Sequence, residues 1–103
     1  MDSIRVRIGD EELDKYRALD CGEAPRLLTE HVKCDPTFVP IKSGHTHRWH
    51  VVAGERHFEL LTTGPKWFDL RAERGGGGAI DLAMHLFGID FKGAVWRLRQ
   101  VVI

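Results

Sequence analysis

The stretch Trp67-Phe68-Asp69-Leu70-Arg71-Ala72-Glu73-Arg74-Gly75-Gly76-Gly77-Gly78-Ala79-Ile80-Asp81-Leu82-Ala83-Met84-His85-Leu86-Phe87-Gly88-Ile89-Asp90-Phe91 decides the reading of this chain. It predicts a strand that runs into a glycine loop, and a helix that the loop opens. Ile80, Ala83, Met84 and Phe87 recur at helical spacing and define one buried stripe. Gly88 is placed to stop that helix, because glycine takes the left-handed C′ conformation without a Cβ clash. Asp90 then caps a second helix whose stripe is Phe91, Ala94, Val95, Leu98 and Val102.

Working back from Trp67, residues 48–53, 56–62 and 66–72 read as three strands joined by hairpins. Gly54-Glu55 suits a two-residue turn, and Thr63-Gly64-Pro65 a three-residue loop. The first turn places Val51 opposite Phe58 and Trp49 opposite Leu60. The second loop then places Leu60 opposite Phe68 and Phe58 opposite Leu70. Trp49, Val51, Phe58, Leu60, Phe68 and Leu70 would share the face covered by the two helices, and a slip of one residue would break that agreement. The other face would carry Arg48, Leu61 and Trp67 in one row. His50, Glu59 and Asp69 would form the next, and Val52, His57 and Arg71 the third.

Further upstream, Ile4, Val6 and Ile8 alternate with arginines as a short edge strand. Residues 11–19 suit a short amphipathic helix, with Leu13, Tyr16 and Leu19 spaced by three. Pro25 fits the first turn of a helix over 26–32. Residues 38–42 read as extended, with Pro40 at an edge or bulge. The fold class expected is α+β: a small antiparallel sheet of about three to four strands packed against C-terminal helices, with an N-terminal strand and helices.

The chain has 103 residues, enough for a single domain, 1–103. Within it, residues 1–25 read as an N-terminal extension and 26–103 as the core. No apolar run approaches a membrane span and the first residues lack a signal-peptide core, so a cytoplasmic protein is expected. Cys21 and Cys34 are its two cysteines, too few and too far apart for a disulfide framework or a cysteine-rich metal site. Fifteen basic and fifteen acidic residues cancel, but unevenly. Residues 1–36 hold six Lys/Arg and nine Asp/Glu, a balance of −3; residues 37–103 hold nine and six, a balance of +3. The second part would attract a polyanion weakly.

Four groups of residues are candidates for chemistry. Gly76, Gly77 and Gly78 precede a helix N-terminus, where free N–H groups and the dipole favour a phosphate, with Arg71 and Arg74 beside them. No Gly-Lys-Ser/Thr follows, so the tract is no Walker motif, and a tight strand-to-helix crossing is the plainer account of the glycines. His45, His47, His50 and His57 do not match a strong zinc spacing, and His31 and His85 read as helix-surface or boundary residues. Glu59 and Asp69 would sit side by side, with His50 and Arg71 to compensate. Trp67 beside Arg48 and Arg71 on an exposed sheet face is the combination that stacks bases and neutralises phosphates. The competing account of Trp67 is cover by the N-terminal segment. No nucleophilic triad is visible, and nothing near either cysteine would activate a thiolate, so the chain reads as no enzyme.

The same residues carry a family resemblance over about 26–100. Leu27-Leu28-Thr29-Glu30-His31-Val32, then Phe38-Val39-Pro40-Ile41-Lys42-Ser43-Gly44, the hairpins with His57-Phe58-Glu59-Leu60, the Gly-Gly-Gly-Gly-Ala-Ile-Asp-Leu-Ala-Met run and Phe91-Lys92-Gly93-Ala94-Val95-Trp96-Arg97-Leu98 follow one another in the order of a known domain. In that order the chain resembles the zinc-binding domain of bacterial DnaG-like DNA primases, the CHC2-type zinc ribbon, and primase-like domains of mobile elements. The resemblance implies a zinc site of three cysteines and a histidine. Here the knuckle positions hold residues such as Asp69, Ala72 and Arg74, so the ligands are lost, no metal or other cofactor is expected, and packing by Trp49, Phe58 and Phe68 would replace zinc. It further implies a non-catalytic module for single-stranded DNA, accessory to replication or priming of a mobile element or phage, with a polymerase or helicase as partner and no membrane. Arg48, Trp67, Arg71, Arg74, Gly76, Gly77 and Gly78 would contact the strand. The alternative is a protein–protein adaptor that has kept the fold and exposes an apolar patch around Val52, Leu61 and Trp67. A histidine metal site is a third, weaker reading.

Overall fold

In the computed structural model, residues 8–40 and 44–102 are described. They form two layers, a five-stranded antiparallel sheet with helices on one face. The order along the chain is α1 (Asp10–Ala18), α2 (Glu23–Leu28), β1 (His31–Cys34), β2 (Thr46–Ala53), β3 (Arg56–Thr63), β4 (Lys66–Asp69), β5 (Arg74–Gly77), α3 (Ala79–Phe87) and α4 (Phe91–Val101). The strands neighbour one another in sequence order.

The antiparallel α+β expectation holds at the coarse level, with five strands rather than three to four. The N-terminal strand through Ile4 and Val6 lies outside the described residues. The helix expected over 26–32 is corrected to Glu23–Leu28. It ends where Thr29 turns its hydroxyl onto the Pro25 carbonyl at 2.6 Å. The chain then extends as β1, which brings Val32 opposite Val51. Phe38 to Pro40 join no strand, and Ile41 and Lys42 lie outside the described residues.

The β2–β3 hairpin has the expected register, with Val51 opposite Phe58 and Trp49 opposite Leu60. The β3–β4 hairpin does not. Its turn is the two residues Gly64-Pro65, with Gly64 at φ +56°, so Thr63 pairs with Lys66 and Leu60 with Asp69. That one-residue slip inverts β4. Trp67 and Asp69 point to the helices, at 3% and 2% exposure, while Phe68 points outward at 39%. Leu70 lies beyond the strand, because Asp69 Oδ1 accepts the N–H groups of Arg71 and Ala72 at 2.9 and 3.0 Å and ends β4 in a turn.

The glycine loop is also corrected: Arg74–Gly77 is the edge strand β5. Glycine is a poor strand former, and here rings on β4 supply what its residues lack. Phe68 lies over Gly75 on the outer side, 3.0 Å from where a Cβ would stand. Trp67 lies over Gly76 on the inner side, 2.7 Å from the same point. A side chain on Gly76 would also collide with Asp81.

The core lies between the sheet and all four helices. Trp49, Val51, Phe58, Leu60 and Trp67 from the sheet meet Ile80, Leu82, Ala83 and Leu86 of α3 and Ala94, Val95 and Leu98 of α4. Tyr16, Cys21 and Ala24 are buried in the same cluster, so α1, α2 and the turn between them contribute to the core. Three polar links fix this layer. Glu12 of α1 receives a two-pronged bond from Arg99 of α4 at 2.6 and 2.7 Å. The Cys21 N–H donates to Gly64 O at 2.7 Å, beside a contact of its thiol with Pro65 O at 3.2 Å. Buried Trp49 Nε1 donates to Thr62 Oγ1 at 2.7 Å.

Candidate functional site: the open face of the sheet

No described helix covers the outer face, and none of its side chains is buried. Register alone assigns its rows. His31, Val52 and His57 form one, and Lys33, His50 and Glu59 the next. Arg48, Leu61, Phe68 and Gly75 follow, then Thr46, Thr63, Lys66 and Gly77. A half-buried Leu61 beside exposed Phe68 makes a small apolar centre in a polar field.

The charges around it are linked. Arg48 Nη2 donates to Glu59 Oε2 at 2.7 Å, and Arg71 Nη2 reaches Glu59 Oε1 at 3.5 Å. Asp35, at the end of β1, lies 3.8 Å from Arg48 Nε and 3.5 Å from His50 Nε2. The Arg48 hydrogen bond holds the Glu59 carboxyl below its usual range, and Thr37 does the same for Asp35 through its hydroxyl and backbone N–H. Both carboxylates are therefore ionised at neutral pH. Lys33, Arg48, Lys66 and Arg71 oppose Glu59 and Asp35, so the face keeps a positive excess of two before any histidine is protonated.

The expected site residues divide. Arg48 and Arg71 do share this face, joined through Glu59. Trp67 does not: it is packed inside against His85, with ring centroids 4.7 Å apart. Its indole Nε1 finds no acceptor among the described residues, so packing alone sets its position. Gly76 lies beneath that indole. The Gly77 N–H donates to Asp81 Oδ2 at 3.1 Å and the Gly78 N–H to Pro65 O at 2.6 Å. The helix α3 N-terminus thus holds a carboxylate of its own where a phosphate was expected. Arg74 is exposed, but its register places it with Asp69, on the helix side.

The side-by-side Glu59 and Asp69 pair is corrected by the same slip. Asp69 is inside, where its Oδ2 lies 2.6 Å from His85 Nε2, both side chains nearly buried. Burial acts to raise the Asp69 pKa, but hydrogen bonds from His85 and the Ala72 and Arg71 N–H groups outweigh it, and the net shift is downward. His85, expected at a surface or boundary, is half-buried and is the partner of Asp69. The histidines also separate: His47 faces the helix side beside Trp49, whereas His31, His50 and His57 face outward. Among the described residues, no group of three or more His, Cys, Asp or Glu side chains is arranged to hold a metal ion.

Phe68, Lys33 and Lys66 are the members of this face that the sequence reading missed. Reading Gly64-Pro65 as the whole turn would have exposed Phe68 and Lys66, and reading β1 as a strand would have added Lys33.

No family model matches the chain, and no solved structure matches it. Over 41 residues it is 49% identical to a "65 kDa protein" of Zymomonas mobilis subsp. mobilis, a stretch covering 40% of this chain. The matched part is 7% of that relative's length. Among the described residues, no helix is long and apolar enough to cross a membrane.

Proposed function

We propose that the chain is a non-catalytic module that binds single-stranded nucleic acid, most plainly DNA, on the open face of its sheet. The observation that supports this most is one exposed aromatic, Phe68, on a face that no described helix covers and that carries excess positive charge. A base laid on Phe68 would bring its flanking phosphates towards Lys66 on one side and Arg48 and Arg71 on the other. This replaces the expected role of Trp67 with its neighbour, and gives no role to the amides of Gly77 and Gly78. The primase-like order of segments in the sequence points in the same direction, and an accessory role in replication or priming is part of the proposal.

Anisotropy of a fluorescein-labelled oligothymidine at low salt tests it. Stacking on one side chain is worth about 1–3 kcal/mol per base, so Phe68→Ala should weaken binding by roughly 5- to 150-fold. The logarithm of affinity should fall with the logarithm of salt concentration with a slope of about −0.7 per phosphate engaged. Binding unchanged by Phe68→Ala, or unaffected by salt, would refute the proposal.

A further inference from the structure

Helix α4 has a second, solvent-facing stripe that the sheet-face reading leaves unused. Gly93, Trp96, Arg97 and Gln100 recur at the spacing of neighbours on one side of a helix, opposite the buried Ala94, Val95 and Leu98. Trp96 is 55% exposed, the most exposed of the three tryptophans. Beside it a depression of about 230 Å³ is walled by Leu28, Trp96, Arg97, Gln100 and Val101. Leu27, on the adjoining α2, is also exposed. Tryptophan and arginine bordering an apolar hollow are the residues most enriched where a partner's side chain is anchored.

Charge decides what the partner is. Residues 91–101 contain Lys92, Arg97 and Arg99 and no acidic residue. Glu12 answers Arg99, whereas among the described residues neither Lys92 nor Arg97 is in a salt bridge, and the nearby Asp90 carboxylate accepts the Gly93 N–H as the helix cap. Arg97, which also lines the hollow, holds its guanidinium over the Phe87 ring at 4.2 Å. A second copy of this chain laid along α4 would set these cations against themselves. An acidic helix would be attracted by the same charges.

We propose that the outer stripe of α4 docks an acidic amphipathic helix of a partner protein, with one apolar side chain of that helix in the hollow between Trp96 and Leu28. The contact is separate from the sheet face, so a nucleic acid and a protein would be held at once.

The test uses the full chain and a labelled helical peptide with leucines at i, i+3, i+4 and i+7 and glutamates elsewhere, beside its lysine-for-glutamate counterpart. The acidic peptide should bind at least about tenfold more tightly than the basic one, and Trp96→Ala should cost about tenfold or more, as for an anchor residue. Arg97→Glu should reverse the preference between the peptides. Trp96→Ala should leave the melting temperature and oligothymidine affinity unchanged, which separates this proposal from the sheet-face one. Equal binding of the two peptides, or binding indifferent to both substitutions, would overturn it. So would competition by the oligothymidine, which would make α4 a nucleic-acid surface, or self-association abolished by Trp96→Ala, which would make the stripe a dimer face.

Discussion

Asp69→Asn is the most informative single change. Asp69 bridges three elements: it ends β4, holds the Arg71 and Ala72 amides of the turn into β5, and pairs with His85 on α3. Its side chain and that of His85 are 3% and 9% exposed. Removing one member of such a buried pair typically costs about 3–5 kcal/mol. A chain of this length is stable by about 5–15 kcal/mol, so the loss is about a fifth or more of the total. With a urea slope of about 1–2 kcal/mol/M, the unfolding midpoint should fall by roughly 1.5–5 M. The pH dependence carries a second signature. Because the folded pKa of Asp69 lies below the unfolded one, its contribution is complete above the unfolded value of about 3.9 and is lost as pH falls through the folded value. Asp69→Asn should flatten the acid limb of stability against pH, and His85→Leu in the same background should cost much less than it does alone. Urea melts between pH 3 and 7 measure all of this. A loss under about 0.5 kcal/mol with the acid limb unchanged would refute the inward register of β4, for then Asp69 would be an ordinary surface carboxylate.

Other outcomes follow from contacts already described. Gly76→Ala should destabilise the fold by about 1–3 kcal/mol, measured by the same urea melts, because its Cβ would collide with Asp81 and the Trp67 ring. Cys21 is buried and its thiol is pushed up to about 12, first by burial and then by Asp20, whereas Cys34 is exposed. A thiol reagent should therefore titrate one cysteine in the folded protein and two in denaturant. The Glu12 carboxyl, hydrogen-bonded first by Arg99 and then by Tyr16, should titrate near pH 2 by carbon-13 NMR. Arg99→Gln should return it towards the ordinary glutamate range.

Local rules located α3, α4 and the β2–β3 hairpin because each rests on residues close in sequence. Gly88 at φ +64° and the Asp90 cap on Gly93 end and start helices as expected. The β2–β3 turn at Gly54-Glu55 has a single reasonable length. By contrast, Thr63-Gly64-Pro65 allows a two- or three-residue connection, and the apolar pattern favours the wrong one. It buries Phe68 and Leu70 and exposes an acid, which looks better than burying Asp69. The true register wins through partners far along the chain: His85 for Asp69, and the glycines of β5 for the two aromatic rings. Those pairings exist only once α3 and β5 are in place, so β4 alone does not reveal them. The candidate site inherited the error directly. Arg48 belongs to the correctly read part of the face; Arg71 lies in the turn beyond β4 and reaches the face through Glu59, not through the expected strand, and Phe68 stands where Trp67 is expected.

The strand of glycines beneath Trp67 and Phe68 ties the fate of one segment to the identity of another. Bulk at positions 67 and 76 draws on the same space, so related sequences should trade it between them. A relative with alanine or serine at 76 is expected to carry a smaller residue at 67, and one that keeps tryptophan there is expected to keep the bare backbone opposite.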